Sequence, residues 1–177
     1  MLSEPNRVLI IAGLLSREEG LFGEAEERLK ESFGQVLKRS EEFPFDFTQY
    51  YEREMGSQLL RCYLAFDKLV GPDDLPRLKE FGSSCERNFV VEGKRRVNID
   101  PGYLDVLRVV LASGKDSPHR MYIGGGIYAE IEYLFIKGSY SPLAWTYPDY
   151  KSEQAISFFN SVRKSYLEIL KRSKPSG

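Results

Sequence analysis

The sequence has few of the residues that build metal centres. Its 177 residues include one histidine and two cysteines, and Cys62 and Cys85 form no Cys-x-x-Cys pair. A zinc site made mainly of cysteine and a metal site made mainly of histidine are therefore excluded. We expect both cysteines to be buried thiols in a reducing compartment, which favours a cytoplasmic protein.

The sequence also lacks an excess of charge of one sign and a long apolar run. Lysine and arginine total 25 against 26 aspartate and glutamate residues, which gives a formal net charge of −1. Domains that bind nucleic acid usually carry a visible basic excess, so a nucleic-acid partner is not indicated. The apolar run Val8–Leu15 is too short to span a membrane, and no small-residue cleavage site follows it. We interpret this run as a first buried strand.

The patterns that are present predict one α+β domain over residues 1–177, since no repeat or linker divides the chain. Apolar periodicity predicts the order strand, helix, strand, strand, helix, strand, then three strands and a helix from about Ser152 to Leu170. The first six elements are typical of a ferredoxin-like unit, extended by further, mostly antiparallel strands and the C-terminal helix. The polar tail Lys171–Gly177 is expected to fray.

Two local patterns predict where a helix begins and where a strand ends. Ser16-x-x-Glu19 has the form of a capping box and predicts a helix from about Arg17. The segment Asn98–Tyr103 contains proline and glycine and predicts a turn after a strand, in which Asn98 and Asp100 bond their own backbone. Those two side chains could instead face a site, and both alternatives stay open.

The segment Ile127–Ile136 predicts a strand rather than a helix, because it alternates and is rich in strand-forming residues. We expect one face to carry the apolar positions Ile127, Ala129, Ile131, Tyr133 and Phe135. Glu130 and Glu132 would then share the other face, about 7 Å apart.

Two neighbouring carboxylates of like charge need a cation or solvent between them. If Glu130 and Glu132 bind a divalent metal, Asp100, Asp116 and Asp149 could add the oxygen ligands that Mg²⁺ or Mn²⁺ prefers. The alternatives are an arginine between the two glutamates, or an exposed sheet face screened by water.

Two glycine-rich segments look like nucleotide motifs and fail on context. Gly124–Ala129 matches Gly-x-Gly-x-x-Gly/Ala, but a strand is predicted after it where a dinucleotide site needs a helix. A corner between two strands is the favoured interpretation. Gly114-Lys115-Asp116-Ser117 is not a P-loop, because Val109 stands where the first glycine is needed and Asp116 where Ser or Thr is needed.

His119, the only histidine, is the strongest candidate for proton transfer. It lies in a predicted turn between Lys115 and Arg120, and an unperturbed imidazole titrates near neutral pH. Lys115 could hold an anion as a point charge and Arg120 by a bidentate fork. A structural, hydrogen-bonded histidine is the alternative.

The segment Trp145–Tyr150 offers a second ambiguity. Asp149 could cap the final helix, or it could join Tyr147 and Tyr150 in the wall of a pocket, since tyrosine buries its ring while presenting a hydroxyl.

Five blocks carry a resemblance to a known family: Phe47–Gly56, Asn98–Leu104, Lys115-Asp116-x-x-His119-Arg120-x-Tyr122, Gly126–Glu130 and Trp145–Tyr150. By these blocks the chain is identified as a member of the family catalogued as domain of unknown function 4416. It departs from the family's pattern at Glu132, where a threonine-like residue is expected. The resemblance implies a prokaryotic cytoplasmic protein of this size and supplies no activity.

These observations lead to a leading hypothesis, a pocket for a small phosphorylated or carboxylated ligand. The ligand-binding residues would be Arg61, Lys115, Arg120, Tyr147, Tyr150, Glu54 and Asp149, and the catalytic residues His119, Asp100 and Glu130. If the chain is an enzyme, hydrolysis or transfer of a phosphate ester through His119 is the class we favour. A cofactor other than a divalent metal is not indicated.

The alternative is a non-catalytic protein-interaction module with structural polar turns, and a protein partner or a homo-oligomer stays open. A buried ion network, in which Glu54 or Glu130 pairs with Arg61 or Arg120, would favour this alternative.

Overall fold

The first strand, β1 (Val8–Ser16), is buried along its whole length, in agreement with its apolar sequence. The computed structural model describes residues 3–173 and shows the reason. β1 lies between two antiparallel neighbours, β4 (Leu60–Val70) and β7 (Val97–Leu104), near the middle of a large sheet. Helices cover both faces of this sheet, so both sides of β1 contact apolar side chains.

The other elements vary widely in length. The remaining strands are β2 (Val36–Arg39), β3 (Phe43–Pro44), β5 (Val90–Val91), β6 (Lys94–Arg95), β8 (Arg108–Ser113), β9 (Met121–Gly124), β10 (Ile127–Ile136) and β11 (Ser139–Pro142). The α-helices are α1 (Glu19–Phe33), α2 (Glu52–Met55), α3 (Leu75–Arg87) and α4 (Glu153–Ser173), and two 3₁₀ turns cover Pro72–Asp74 and Pro148–Lys151.

The main sheet is antiparallel throughout, with the strand order β11-β10-β8-β7-β1-β4-β2. Strand β3 lies beside β4, β9 lies beside β10, and β5 and β6 form a separate hairpin. This arrangement confirms the predicted α+β class. The ferredoxin-like description of its first part stays a prediction, because β3, α2 and the β5–β6 hairpin interrupt the expected order.

Two apolar cores lie on opposite faces of the sheet. Helices α1 and α3 pack on the first face through the stripes that helical spacing predicts, Leu21, Ala25, Leu29 and Phe33, and Leu75, Leu78 and Cys85. Helix α4 packs on the second face through Ala155, Phe159, Val162 and Tyr166. None of the helices described is long and apolar enough to cross a membrane.

Helix α1 begins two residues later than predicted. Ser16 is the last residue of β1, and its hydroxyl donates to the carbonyl oxygen of Arg96 and accepts the N–H of Glu18. The predicted capping box is therefore wrong, because the Ser16 hydroxyl is already engaged at the end of the strand. Gly34 closes the helix as predicted, with a φ of 90°.

Strand β7 continues through Asp100, Pro101 and Gly102, where a turn is predicted. It pairs with β1 along its whole length, and Pro101 lies opposite Ala12. Proline has no N–H for a second neighbour, and within residues 3–173 the ladder between β7 and β8 covers only Gly102–Leu104. The prediction of a turn at Asn98 and Asp100 is therefore wrong. Both side chains project from a part of β7 that pairs with a neighbouring strand on one edge.

Strand β10 has the predicted bounds, but a β-bulge between Ile131 and Tyr133 divides it. Before the bulge, Ile127 and Ala129 face the core under α1 and α3; after it, Tyr133 faces the core under α4. The prediction of one continuous apolar face is therefore wrong, because the extra residue in the bulge reverses the side of every residue beyond it.

Helix α4 extends beyond the predicted Leu170 to Ser173. Its first turn is capped by Ser152, whose hydroxyl accepts the N–H of Ala155, so Asp149 does not cap it. Lys171 is helical rather than frayed, and residues 174–177 of the predicted tail lie outside the described residues.

Candidate functional site

A cavity of about 590 Å³ opens at one end of the main sheet. Its aromatic lining consists of Phe45, Tyr50, Tyr51 and Tyr147. Its charged lining consists of Arg61, Lys79, Arg95, Lys115 and Arg120 together with Asp100, Glu130 and Asp149. Most of the candidate residues predicted from the sequence therefore meet at one place.

The cavity exists because β7 and β8 separate there. Their ladder ends where Gly102 pairs with Leu111, and a β-carbon at position 102 would collide with the carbonyl oxygen of Val110. Asp100 and Ser113 would face each other if the ladder continued, and instead both line the cavity. The Pro101-Gly102 step thus opens the sheet and leaves polar side chains around the gap.

Arg61 lies at the centre of the site and is 4% exposed. Its Nε is 2.8 Å from Oδ2 of Asp149, which is 2% exposed, and its Nη1 is 3.4 Å from Oδ2 of Asp100. Asp149 also accepts the hydroxyl of Tyr63 at 3.1 Å. Burial alone would lower the pKa of Arg61, but the charge of Asp149, with Tyr63 and Asp100, raises it, so the guanidinium stays charged.

Arg120 and His119 share one buried carboxylate, Glu130, which is 1% exposed. Nε of Arg120 is 2.6 Å from Oε2 of Glu130, and Nε2 of His119 is 2.8 Å from Oε1. The other guanidinium nitrogens of Arg120 donate to the hydroxyl of Tyr147 at 2.7 Å and to the carbonyl oxygen of Lys115 at 2.9 Å. Glu130 is therefore paired and buried, and not exposed on a sheet face.

His119 lies behind Glu130 and does not line the cavity itself. Its ring stacks on Trp145 with 5.5 Å between ring centroids, and its Nδ1 is 3.2 Å from the hydroxyl of Ser117. All three contacts fix the imidazole, so it reaches the cavity only through Glu130.

Glu132 occupies the β10 bulge and is fully buried. Its Oε2 accepts the backbone N–H of Tyr147 at 3.1 Å. Burial, and then the charge of neighbouring Glu130, raise its pKa well above the usual value for glutamate. Glu132 is accordingly protonated at neutral pH, which explains how two adjacent glutamates coexist in the interior.

Lys115 differs from the other cations of the lining. It is exposed, and its ammonium contacts the hydroxyl of Tyr50 and lies 4.5 Å from the centroid of that ring. A carboxylate lies within 4 Å of each of the other four cations, Arg61, Arg95, Arg120 and Lys79. Lys115 forms no ion pair with any residue of the described chain.

Glu54 and Tyr150 are near the site but do not line the cavity. Glu54 binds Arg95 through two 2.8 Å hydrogen bonds, which lower the pKa of Glu54. Tyr150 is buried, and its hydroxyl would lie 2.6 Å from a β-carbon at Gly13, so glycine is needed there.

The cavity lining also contains aromatic and charged residues that were not predicted as site residues: Phe45, Tyr50, Tyr51, Lys79 and Arg95. Tyr51 lies inside one of the blocks that carry the family resemblance, so that signal was available. Lys79 and Arg95 reach the site only through the packing of α3 and the β5–β6 hairpin, which no local pattern shows.

A divalent metal was one alternative for the carboxylates of this region, and the described residues form no cluster of ligands for it. Among residues 3–173 no group of three or more His, Cys, Asp or Glu side chains could hold an ion. Among the carboxylates considered as ligands, Glu130 pairs with Arg120 and Asp149 with Arg61, and Asp116 accepts the backbone N–H of Ser117 outside the cavity.

Comparison with curated proteins and with solved structures gave no match. The model of one family, Domain of unknown function (DUF4416), matches residues 5–166. This range contains β1 through most of α4 and every residue of the cavity. The chain therefore belongs to this family.

Proposed function

We propose that the chain binds a small molecule carrying a carboxylate or a phosphate in the cavity beside β7 and β8. One observation carries the proposal: Lys115 is a cation on the cavity lining that forms no ion pair in the described chain. Its ammonium is held against Tyr50 rather than against a carboxylate. An anion entering the cavity would supply the missing partner.

The shape and lining of the cavity support a small-molecule ligand. A volume of about 590 Å³ lies inside the range of roughly 300–1,000 Å³ that is typical of such sites. Four aromatic side chains line the cavity, and aromatic walls are typical of ligand pockets. The eight charged side chains beside them supply the polar groups that would orient a ligand.

Arg120 supports the anion site indirectly. Each of its three nitrogens already contacts a protein oxygen, in Glu130, in Tyr147 or in the carbonyl of Lys115, so only two of its five N–H donors are left for the bidentate contact expected from the sequence. The contact with the Lys115 carbonyl fixes the backbone that presents the ammonium. We therefore assign Lys115 to the ligand and Arg120 to positioning Lys115.

Catalysis by His119, Asp100 and Glu130 on a phosphate ester stays a hypothesis within this proposal. Asp100 and Glu130 line the cavity, whereas His119 touches it only through Glu130. A proton could pass from a ligand to the Glu130–His119 pair, but both oxygens of Glu130 already contact a protein nitrogen, Nε2 of His119 and Nε of Arg120. Binding is accordingly the function that the geometry supports best.

A non-catalytic interaction module is the second candidate, and one observation favours it. Glu130 forms a buried ion pair with Arg120, which is the structural network that such a module would need. The exposed side chains of Met121 and Tyr122 on β9 would then meet a protein partner. This candidate leaves the cavity and the unpaired Lys115 without a role.

A thermal-shift panel of phosphorylated and carboxylated metabolites tests the proposal. A ligand at about 100 times its Kd adds roughly 2.7 kcal/mol of stability, which raises the Tm of a domain of this size by roughly 5–10 °C. At the same ligand concentration we expect Lys115→Ala to reduce the rise by about half or more, without changing the melting point of the free protein. Lys171→Ala, which removes an exposed lysine of α4, is the matched control and should respond like the wild type.

A panel in which no carboxylate or phosphate raises the melting point would overturn the proposal and favour the interaction module. A rise that Lys115→Ala leaves intact would overturn the role of Lys115.

The proposal includes a cytoplasmic location in a prokaryotic cell. The resemblance implies the prokaryotic source, and the two buried, unpaired cysteines, Cys62 and Cys85, fit a reducing compartment.

A further inference from the structure

The lining of the cavity has two chemically different parts. One part is Lys115 with Tyr50, a cation without a carboxylate partner among the described residues. The other part surrounds Arg61 and alternates donors with acceptors: Arg61, Asp100, Asn98, Lys79 and Tyr51. The first part suits an anionic group, and the second part does not.

Asp100 is the acceptor of the second part. Its side chain is 23% exposed. Its Oδ2 receives the amide of Asn98 at 2.8 Å and lies 3.4 Å from Arg61, while its Oδ1 has only Lys79, at 3.9 Å. An ionised carboxylate can accept about four hydrogen bonds, so Asp100 can accept at least one more from a ligand. A ligand anion would be repelled here.

Tyr51 is a donor of the second part. Tyr51 is half-buried, its ring packs against Phe45 and Tyr50, and its hydroxyl forms no hydrogen bond with the rest of the described chain. Burial and then the charge of Asp100 raise its pKa, so it keeps its proton. A tyrosine hydroxyl on a cavity lining that has no protein partner is available to bond a ligand.

Tyr147 adds a second donor between the two parts. Its hydroxyl oxygen accepts from Arg120 at 2.7 Å, which leaves the hydroxyl hydrogen without an acceptor among residues 3–173. Arg120 also holds the carbonyl oxygen of Lys115, so Tyr147 lies next to the anion-binding part.

A hydroxyl group both donates and accepts hydrogen bonds, and it is neutral. It therefore matches a surface on which Asp100 accepts while Tyr51 and Tyr147 donate. From this alternation we propose that the ligand is a polyhydroxylated molecule with one anionic group, a sugar phosphate or a sugar acid. Its anionic group contacts Lys115 and its hydroxyls contact Asp100, Tyr51 and Tyr147. This inference rests on the proposed function and narrows its ligand.

Matched ligands test the inference by calorimetric titration of the full chain. Glucose 6-phosphate is compared with hexyl phosphate, glucuronate with hexanoate, and glucose serves as the ligand without an anion. We expect one of the two sugar anions to bind at least about tenfold more tightly than its hydroxyl-free match, since each hydrogen bond made only by the sugar contributes a several-fold gain. Which sugar anion binds distinguishes the phosphate from the carboxylate.

Tyr51→Phe provides the site-specific readout. It removes a hydroxyl that has no protein partner in the described chain, so the melting point of the free protein should stay unchanged. We expect the substitution to weaken binding of the sugar anion about fivefold to tenfold and to leave the binding of hexyl phosphate or hexanoate unaffected.

The outcomes separate this inference from the proposed function. The inference is overturned, while the proposed function stands, if the hydroxyl-free anions bind as tightly as the matching sugar anions. The same holds if Tyr51→Phe weakens the binding of neither sugar anion. If none of the four anions binds, the inference is overturned, and the wider panel of phosphorylated and carboxylated metabolites decides whether the proposed function fails as well. If glucose binds as tightly as the sugar anions, the claim that the site recognises an anionic group is overturned, both in the proposed function and in this inference.

Discussion

The two faces of the main sheet differ in what they bury. The face under α1 and α3 is filled with apolar side chains, and among residues 3–173 its one buried acidic side chain, Glu86, accepts the N–H of Ile99. The face under α4 buries Arg61, Asp149, Glu130 and Glu132 next to its apolar core. A protein gains stability most simply from the first kind of face, because buried charges are costly to desolvate. The second face therefore indicates where function is located.

The largest expected effect comes from breaking the ion pair at the centre of the second face. Arg61→Ala leaves Asp149 buried without its cation, and we expect a loss of roughly 3–5 kcal/mol in the free energy of unfolding. Urea denaturation of the two proteins measures this loss.

Arg77→Ala is the control for Arg61, because Arg77 is 83% exposed and its contact with Asp74 is 3.5 Å long. Exposed pairs of this kind contribute little. If Arg61→Ala is no more destabilising than Arg77→Ala, the second face does not depend on its buried charges.

Truncation of a core side chain on the first face should destabilise the protein without affecting ligand binding in the cavity. Leu29→Ala removes a fully buried side chain of α1 and should lower the free energy of unfolding by about 3 kcal/mol through lost burial and a new cavity. We expect the ligand-induced rise in melting point to keep its size in this variant. A lost ligand response would show that the two faces are coupled, contrary to the comparison.

Glu130 and Glu132 allow a test within one strand. Glu130→Gln removes the negative charge that pairs with Arg120 and should destabilise by roughly 1–3 kcal/mol. Glu132→Gln resembles the protonated acid that the interior already holds, so at pH 5 the variant should be as stable as the wild type. Equal losses from both substitutions would contradict the assignment of one charged and one neutral glutamate.

The same pair predicts a dependence on pH. The pKa of Glu132 is raised in the folded state, so the folded protein binds a proton that the unfolded chain releases near pH 4–5. This contribution to stability is complete below the unfolded pKa and is lost as the pH rises toward the folded pKa. Glu132→Gln should therefore exceed the wild type in stability by at least about 1 kcal/mol at pH 8. Thermal or urea melts from pH 5 to pH 8 measure this difference.

The first face could be predicted well from the sequence, and the second could not. The spacing of Leu21, Ala25, Leu29 and Phe33 alone indicates which side of α1 is buried, because a helix repeats every 3.6 residues. The residues of the cavity could be selected by type, since Arg61, Lys115, Arg120, Tyr147 and Asp149 are among those that line it.

The Glu130–Arg120 ion pair was one of the pairings considered from the sequence, but which of these pairs forms could not be predicted, because it depends on two irregularities of the sheet. The strand that continues through Pro101 and the bulge before Tyr133 decide which side chains face the gap between β7 and β8. Local patterns favour a turn at the first position and regular alternation at the second. These local preferences are overridden by the pairing of β7 with β1 and of β10 with β8 in the folded protein.

The affinity of one anionic ligand for the wild type and for Lys115→Ala tests the central claim most directly. The tightest-binding carboxylate or phosphate is titrated into both proteins by calorimetry at the same low salt concentration. We predict that Lys115→Ala raises the Kd by about tenfold or more, as expected for the loss of a charge-assisted hydrogen bond of roughly 1.5–3 kcal/mol, while Lys171→Ala leaves it unchanged. An equal Kd for the wild type and Lys115→Ala would contradict the claim that this unpaired lysine makes the cavity an anion site.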